Sequence, residues 1–110
     1  MDFQEYIEFT RDTAIYPDAM KHSVSELMYL GLGLSSEAGE VTGVIKKAYR
    51  DGIRLDMQDH MIAELGDVFW YLIRLCDAMK INPEDVMAMN MDKLRSRAQR
   101  SKLGGSGDYR

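Results

Sequence analysis

Apolar residues recur along this chain at steps of three and four, and nowhere do they alternate over the length of a strand, so the pattern predicts helices from end to end. A first helix carries Phe3, Tyr6, Ile7, Thr10 and Ala14 on one side. Asp2 and Glu5 stand before it in capping-box spacing, and it must stop before Pro17. A second capping box, Ser23-x-x-Glu26, opens a long helix that runs to about Tyr49, where Arg50-Asp51-Gly52 supplies a stop. Asp56 and Asp59 can start a third helix reaching about Met79. Asn82-Pro83-Glu84-Asp85 then combines an N-cap, a first-turn proline and acidic residues at the head of a fourth, which continues to about Arg100. No internal repeat competes with this reading, and the fold class is all-α.

Two of these helices have unusual patterns. The second holds Gly31, Gly33, Gly39 and Gly43 in its interior, each costing about 0.5–1 kcal/mol relative to alanine. Close helix approach at Gly39 and Gly43, and at Gly66 on the third helix, would offset that cost. Gly31 and Gly33 are equally consistent with a local break. The third helix is apolar on nearly every side, with Ile62, Leu65, Val68, Phe69, Trp70, Leu72, Ile73, Leu75, Cys76 and Met79. Such a helix needs cover on most sides. A chain of 110 residues cannot supply it all, so the bundle is expected to be completed by oligomerisation.

Composition narrows the classes of partner. A formal net charge of −4 argues against nucleic acid as a main partner. The single cysteine, Cys76, lies in an apolar run and reads as a buried thiol. With no disulfide framework and no secretory leader at Met1, a cytoplasmic location is the expectation. No apolar run reaches the ~18 residues of a membrane span. Residues 103–110 are rich in glycine and poor in apolar side chains, and read as a flexible tail behind a helical domain of residues 1–102.

Against the apolar background stand two acidic pairs, Glu37-Ala-Gly-Glu40 and Glu64-Leu-Gly-Asp67, each sharing one helix face at i, i+3. Like charges so placed repel by about 0.2–0.5 kcal/mol per pair on an exposed helix, and by more where water is excluded. The pairs can also meet. At ~1.5 Å per residue, Glu40 lies about 15 Å below Arg50, and Glu64 about 9 Å below a start near Gln58; the difference is about one turn. Four converging carboxylates suit a hard cation such as Mg²⁺ or Mn²⁺. No Glu-x-x-His motif supports a di-iron site, and no His or Cys set supports zinc. Further polar residues fall in phase. His60, Tyr71 and Arg74 extend the stripe of Glu64 and Asp67, Lys47 extends that of Glu37 and Glu40, and Asn90, Lys93, Arg97 and Arg100 form a basic stripe on the fourth helix.

These residues resemble the MazG-like all-α nucleoside triphosphate pyrophosphohydrolases. The likeness runs from Leu34-Ser-Ser-Glu37-Ala-Gly-Glu40-Val-Thr-Gly43 through Ile62-Ala-Glu64-Leu-Gly-Asp67-Val-Phe-Trp-Tyr71 to Asn90-Met-Asp-Lys93-Leu-Arg-Ser-Arg97. The resemblance implies a four-helix MazG-like bundle that dimerises, often into tetramers, and hydrolyses an NTP or dNTP to the monophosphate and pyrophosphate. It implies that Glu37, Glu40, Glu64 and Asp67 hold magnesium, with manganese as a substitute. It also implies that Asn90, Lys93 and Arg97 bind the triphosphate. Many relatives open the first motif with two glutamates, whereas Ser36 precedes Glu37 here, leaving one carboxylate fewer.

Water attacking the α-phosphorus would need a proton acceptor, for which Glu40 and Glu64 are the candidates. Lys93 and Arg97, with Lys47, would neutralise the outer phosphates, and Tyr71 is a further substrate contact. The base would lie against Tyr29, Trp70 or the first helix. Two other functions remain open on these residues: a non-catalytic helical oligomer that binds metal or nucleotide, and a phosphoribosyl-ATP pyrophosphohydrolase. Hydrolysis of a panel of nucleotides separates them.

Overall fold

A computed structural model describes residues 1–110. The chain forms α1 (Phe3–Asp12), α2 (Val24–Asp51), α3 (Met57–Ala78) and α4 (Pro83–Gln99), with no strand. The predicted starts are where local chemistry put them. The Asp2 side chain accepts from Glu5 N–H, Ser23 from Glu26 N–H and Asn82 from Glu84 N–H, so three N-termini are capped by a side-chain oxygen. Asp56 caps differently from expectation: its carboxylate makes no cap bond and faces Arg54 and His60 at 3.2 and 3.6 Å. Gly52, at φ +98°, ends α2 in a conformation that glycine adopts without steric cost.

Compactness divides the chain into Met1–Lys80 and Ile81–Arg110, so residues 103–110 belong to the same unit as α4. In the first unit α2 and α3 form an antiparallel hairpin, and α1 packs on α3. The register follows from the contacts: Gly33 meets Tyr71, and Glu37 meets Glu64 and Asp67. The core lies toward the open end of the hairpin. There Leu30, Ala78 and Tyr16 are buried, with Ala14, Ala19, Leu27, Trp70, Tyr71 and Leu75 packed against them. Burying a side chain such as Leu30 contributes about 1.5–3 kcal/mol.

The glycines of α2 do not act as their spacing suggested. A Cβ at Gly31, Gly39, Gly43 or Gly66 would meet open space, so none of them marks a close helix approach within this chain. Gly33 does: a Cβ there would overlap the Tyr71 ring. Nor do Gly31 and Gly33 break the helix, since α2 is continuous across them.

The loop between α1 and α2 is held by charge. Glu26, fully buried, accepts from Tyr16 Oη at 2.6 Å, Met20 N at 2.7 Å and His22 N at 2.8 Å. Burial opposes its ionisation, but these bonds and the nearby Arg74 guanidinium hold the carboxyl below its ordinary range. Arg74, also fully buried, donates to Asp77 at 2.7 Å, and Asp77 in turn receives Arg11 at 2.6 Å. His22 Nδ1 lies 2.7 Å from the Ala78 carbonyl and ties the loop to the end of α3. No helix is long and apolar enough to cross a membrane.

The second unit consists of α4 and residues 100–110, which fold back in turns on the basic face of the helix. The sequence predicts a flexible tail over residues 103–110. Here Arg97, Lys93 and Arg100 bond to them, and Arg110 donates to the carbonyls of Lys102, Leu103 and Gly104.

Candidate metal centre

Midway along the hairpin, Glu37 from α2 meets Glu64 and Asp67 from α3, with carboxylate oxygens all within 4.8 Å of one another. The placement follows from helix periodicity. The i, i+3 spacing turns Glu64 and Asp67 to one face, and the antiparallel register brings Glu37 opposite them. Nothing cationic is bonded to this trio, unlike the carboxylates at the hairpin's open end. Partial burial raises the Glu37 carboxyl above its ordinary range, and the charges of Asp67, Glu64 and Glu40 raise it further. Crowded oxygen donors without a counter-ion have the chemistry of a hard divalent cation site, and neither sulfur nor imidazole is among them.

Glu40 is not a member of the tight trio. It is exposed and lines a cleft of about 340 Å³ between the C-terminal half of α2 and the N-terminal half of α3, together with Val44, Lys47, Arg54, His60 and Glu64. The cleft therefore begins at the trio, through Glu64, and runs toward the α2–α3 turn. Lys47 brings a cation to its wall, which agrees with its phase on the α2 stripe.

The α3 stripe divides among three zones. His60 reaches the cleft, Glu64 and Asp67 the carboxylate cluster, and Arg74 the buried network, where it cannot touch a ligand in the cleft. Tyr71 lies between these zones. Its ring covers Gly33 and meets Trp70 edge-on at 5.0 Å. A bond with Tyr29, then burial, then the charges of Tyr29, Glu37 and Asp67 push its hydroxyl up to about 12. It is therefore a neutral neighbour of the carboxylates. Tyr29 stacks on Tyr16 at 4.9 Å, and Trp70 Nε1 donates to Thr13 at 2.8 Å.

Beside Asp67 lies a second, apolar groove of about 400 Å³, formed by Met1, Phe3, Tyr6, Gly66 and Phe69. Burial and the Asp67 charge together raise the Tyr6 hydroxyl. Along α3 the side chains of Ile62, Leu65, Phe69 and Leu72 are exposed, whereas Cys76 is buried as its sequence context suggested.

On α4, Asn90 is exposed, Lys93 half-buried and Arg97 almost fully buried. The bonds of Lys93 and Arg97 to residues 107 and 108 were not foreseeable from helix phase, which says which face a residue occupies but not what folds onto it.

Residues 26–101 match the MazG nucleotide pyrophosphohydrolase domain. The chain is also similar to the Gene 37 protein of Mycobacterium phage L5, with 42% identity over 103 residues covering 90% of each chain. No solved structure is a significant match.

Proposed function

For a chain that belongs to the MazG nucleotide pyrophosphohydrolase domain family, we propose magnesium-dependent hydrolysis of a nucleoside or deoxynucleoside triphosphate to the monophosphate and pyrophosphate. The observation that carries the reading is the convergence of Glu37, Glu64 and Asp67 without a counter-charge, at the head of a cleft that also holds Glu40 and Lys47. Family membership makes nucleotide pyrophosphohydrolysis and metal dependence the expected chemistry. The particular metal and substrate are our assignment.

Glu37, Glu64 and Asp67 would hold Mg²⁺, with Mn²⁺ as a substitute. A cation there would offset repulsion between carboxylates and phosphates and acidify a water. Glu40 completes the acidic set from the cleft wall and, being outside the trio, is the better-placed of the two candidate bases. It accepts the proton as the water oxygen adds to the α-phosphorus. The bond from that phosphorus to the bridging oxygen breaks, and pyrophosphate leaves with the electron pair. Lys47 would attract the charged leaving group, and family resemblance assigns triphosphate binding to Asn90, Lys93 and Arg97 of α4. Tyr71 acts indirectly, by fixing the α2–α3 spacing through Gly33 and keeping a neutral hydroxyl near Glu37.

Self-association belongs to the same reading. The exposed apolar row of α3 and the groove at Phe3, Tyr6 and Phe69 form a surface that a second copy would cover.

The test is a panel of ribo- and deoxyribonucleoside triphosphates and phosphoribosyl-ATP, incubated with the protein and Mg²⁺ while pyrophosphate is measured. Pyrophosphate from one or more triphosphates, abolished by a chelator, is the expected result. Release only from phosphoribosyl-ATP would reassign the substrate, and no release from any compound would leave a binding protein.

A further inference from the structure

The basic face of α4 already holds an anion. Lys93 Nζ donates to Asp108 Oδ1 at 3.1 Å, and an Arg97 Nη2 lies 3.6 Å from the same oxygen. That guanidinium also donates to the backbone carbonyls of Asp108 and Gly107, at 2.6 and 3.3 Å. Three oxygens thus converge on two cations at i, i+4, an arrangement that a phosphate group offers to an arginine and a lysine. The turn is shaped for this. Gly105 and Gly107 take φ of +94° and +89°, and the Arg110 side chain closes on the carbonyls of Leu103 and Gly104.

The two sides of the contact are unequally exposed. The Arg97 side chain is 6% exposed, whereas that of Asp108 is 75% exposed. On the cationic side Arg97 is thus nearly buried and Lys93, at 35%, half-buried, while the carboxylate that occupies them sits at the rim. An exposed carboxylate bonded to lysine and arginine stabilises only weakly, because water and salt screen it. A phosphate carries more charge than one carboxylate and can displace it.

We propose that residues 103–110 are an intramolecular competitor that occupies the phosphate-binding face of α4 with Asp108 until a polyphosphate displaces it. The inference rests on the reading of Lys93 and Arg97 as triphosphate-binding groups. A cover closing over bound nucleotide would raise affinity and its loss would raise KM, whereas a competitor lowers affinity and its removal lowers KM.

The experiment titrates inorganic tripolyphosphate into the full chain by calorimetry in EDTA, so that the carboxylate trio cannot contribute through a metal. Asp108→Asn should bind about 2–5-fold more tightly than the unmodified protein, the factor expected when one exposed ion pair no longer competes. Lys93→Met should bind more weakly, and Asp108→Asn should melt at nearly the same temperature as the parent. Equal or weaker binding by Asp108→Asn overturns the proposal, as does absence of binding by all three proteins. Nucleotide turnover with Mg²⁺, measured on the same preparations, keeps the two readings apart. Tighter tripolyphosphate binding without turnover would remove the proposed activity and leave the competitor. Turnover with unchanged Asp108→Asn affinity and KM would do the reverse.

Discussion

Around Arg74 and around Glu37, the same helical hairpin concentrates charge in two opposite ways. At its open end Glu26, Arg74, Asp77 and Arg11 alternate in sign, and Tyr16 and two backbone N–H groups complete the bonds. No buried side-chain polar atom is left without a partner. Halfway along, Glu37, Glu64 and Asp67 have the same sign and no bonded cation, and Glu37 is raised where Glu26 and Asp77 are lowered. A charge group that is satisfied internally organises the chain; one that is left unbalanced keeps its repulsion until a cation offsets it. Both groups contain acidic residues on helices, so the presence of carboxylates does not distinguish them. Their partners do.

Substitutions can break the contrast. The largest effect should come from Glu64→Gln or Asp67→Asn, which remove charge from the unbalanced group. Turnover at saturating Mg²⁺ should fall below about a tenth of the parent value, as loss of a metal ligand requires. Melting temperature of the metal-free protein should hold or rise, because a repulsion is relieved. If both variants keep more than a tenth of kcat, the metal assignment is wrong.

The balanced group should respond in the opposite manner. Replacing Arg74 by alanine removes the buried cation between Glu26 and Asp77, leaving Asp77 only Arg11 and Glu26 only its neutral donors, and should cost about 3–5 kcal/mol of folding stability, read from denaturant unfolding. A variant as stable as the parent would show that the network is dispensable. A smaller effect separates the groups by ligand. At a hundred times its dissociation constant, Mg²⁺ should stabilise the parent by about 2.7 kcal/mol, and Glu64→Gln by much less at the same concentration. An equal rise in both would place metal binding elsewhere.

Acid gives the smallest and most diagnostic signal. Asp77 is held low by its bond from Arg11 and by Arg74 against the opposing effect of burial, and Glu26 is also low. For carboxyls lowered on folding, the stabilisation is complete above the unfolded values near about 4 and disappears as pH falls through the folded ones. Melting temperature should therefore drop below about pH 4, and less steeply in Asp77→Asn. Identical slopes in the two proteins would show that Asp77 does not carry the acid sensitivity.

How far these groups were legible in sequence differs in an instructive way. The starts of α1, α2 and α4 could be read because Asp2, Ser23 and Asn82 act on amides two or three residues away. The carboxylate trio could be read because helix phase is also local, and a short connection forces the register of two consecutive helices. Arg74 could not. Phase placed it on the polar stripe of Asp67, and only the packing of the α1–α2 loop decides that it is buried. Glu26 shows the same limit: its spacing from Ser23 marks a capping box, but the side chain serves the loop. The Gly39 and Gly43 pair misleads for a related reason, since small residues permit a close approach without requiring it. The exposed row on α3 was visible as part of an all-round apolar helix.

The same Glu26 has a consequence for how the native protein opens. Asp18, Met20 and His22 all have left-handed backbone, at φ of 63°, 67° and 55°, where each non-glycine residue costs on the order of 1 kcal/mol or more. Two of the three donate their amides to the Glu26 carboxylate. The loop thus resembles a spring with Glu26 as its main latch and the His22–Ala78 contact as a second: neutralising that carboxylate would loosen several strained torsions at once. Lys21, exposed within the loop, would then meet a protease such as trypsin through brief local excursions rather than through unfolding of the hairpin. Loss of that one acidic side chain would thereby shorten the time for which this part of the surface stays closed.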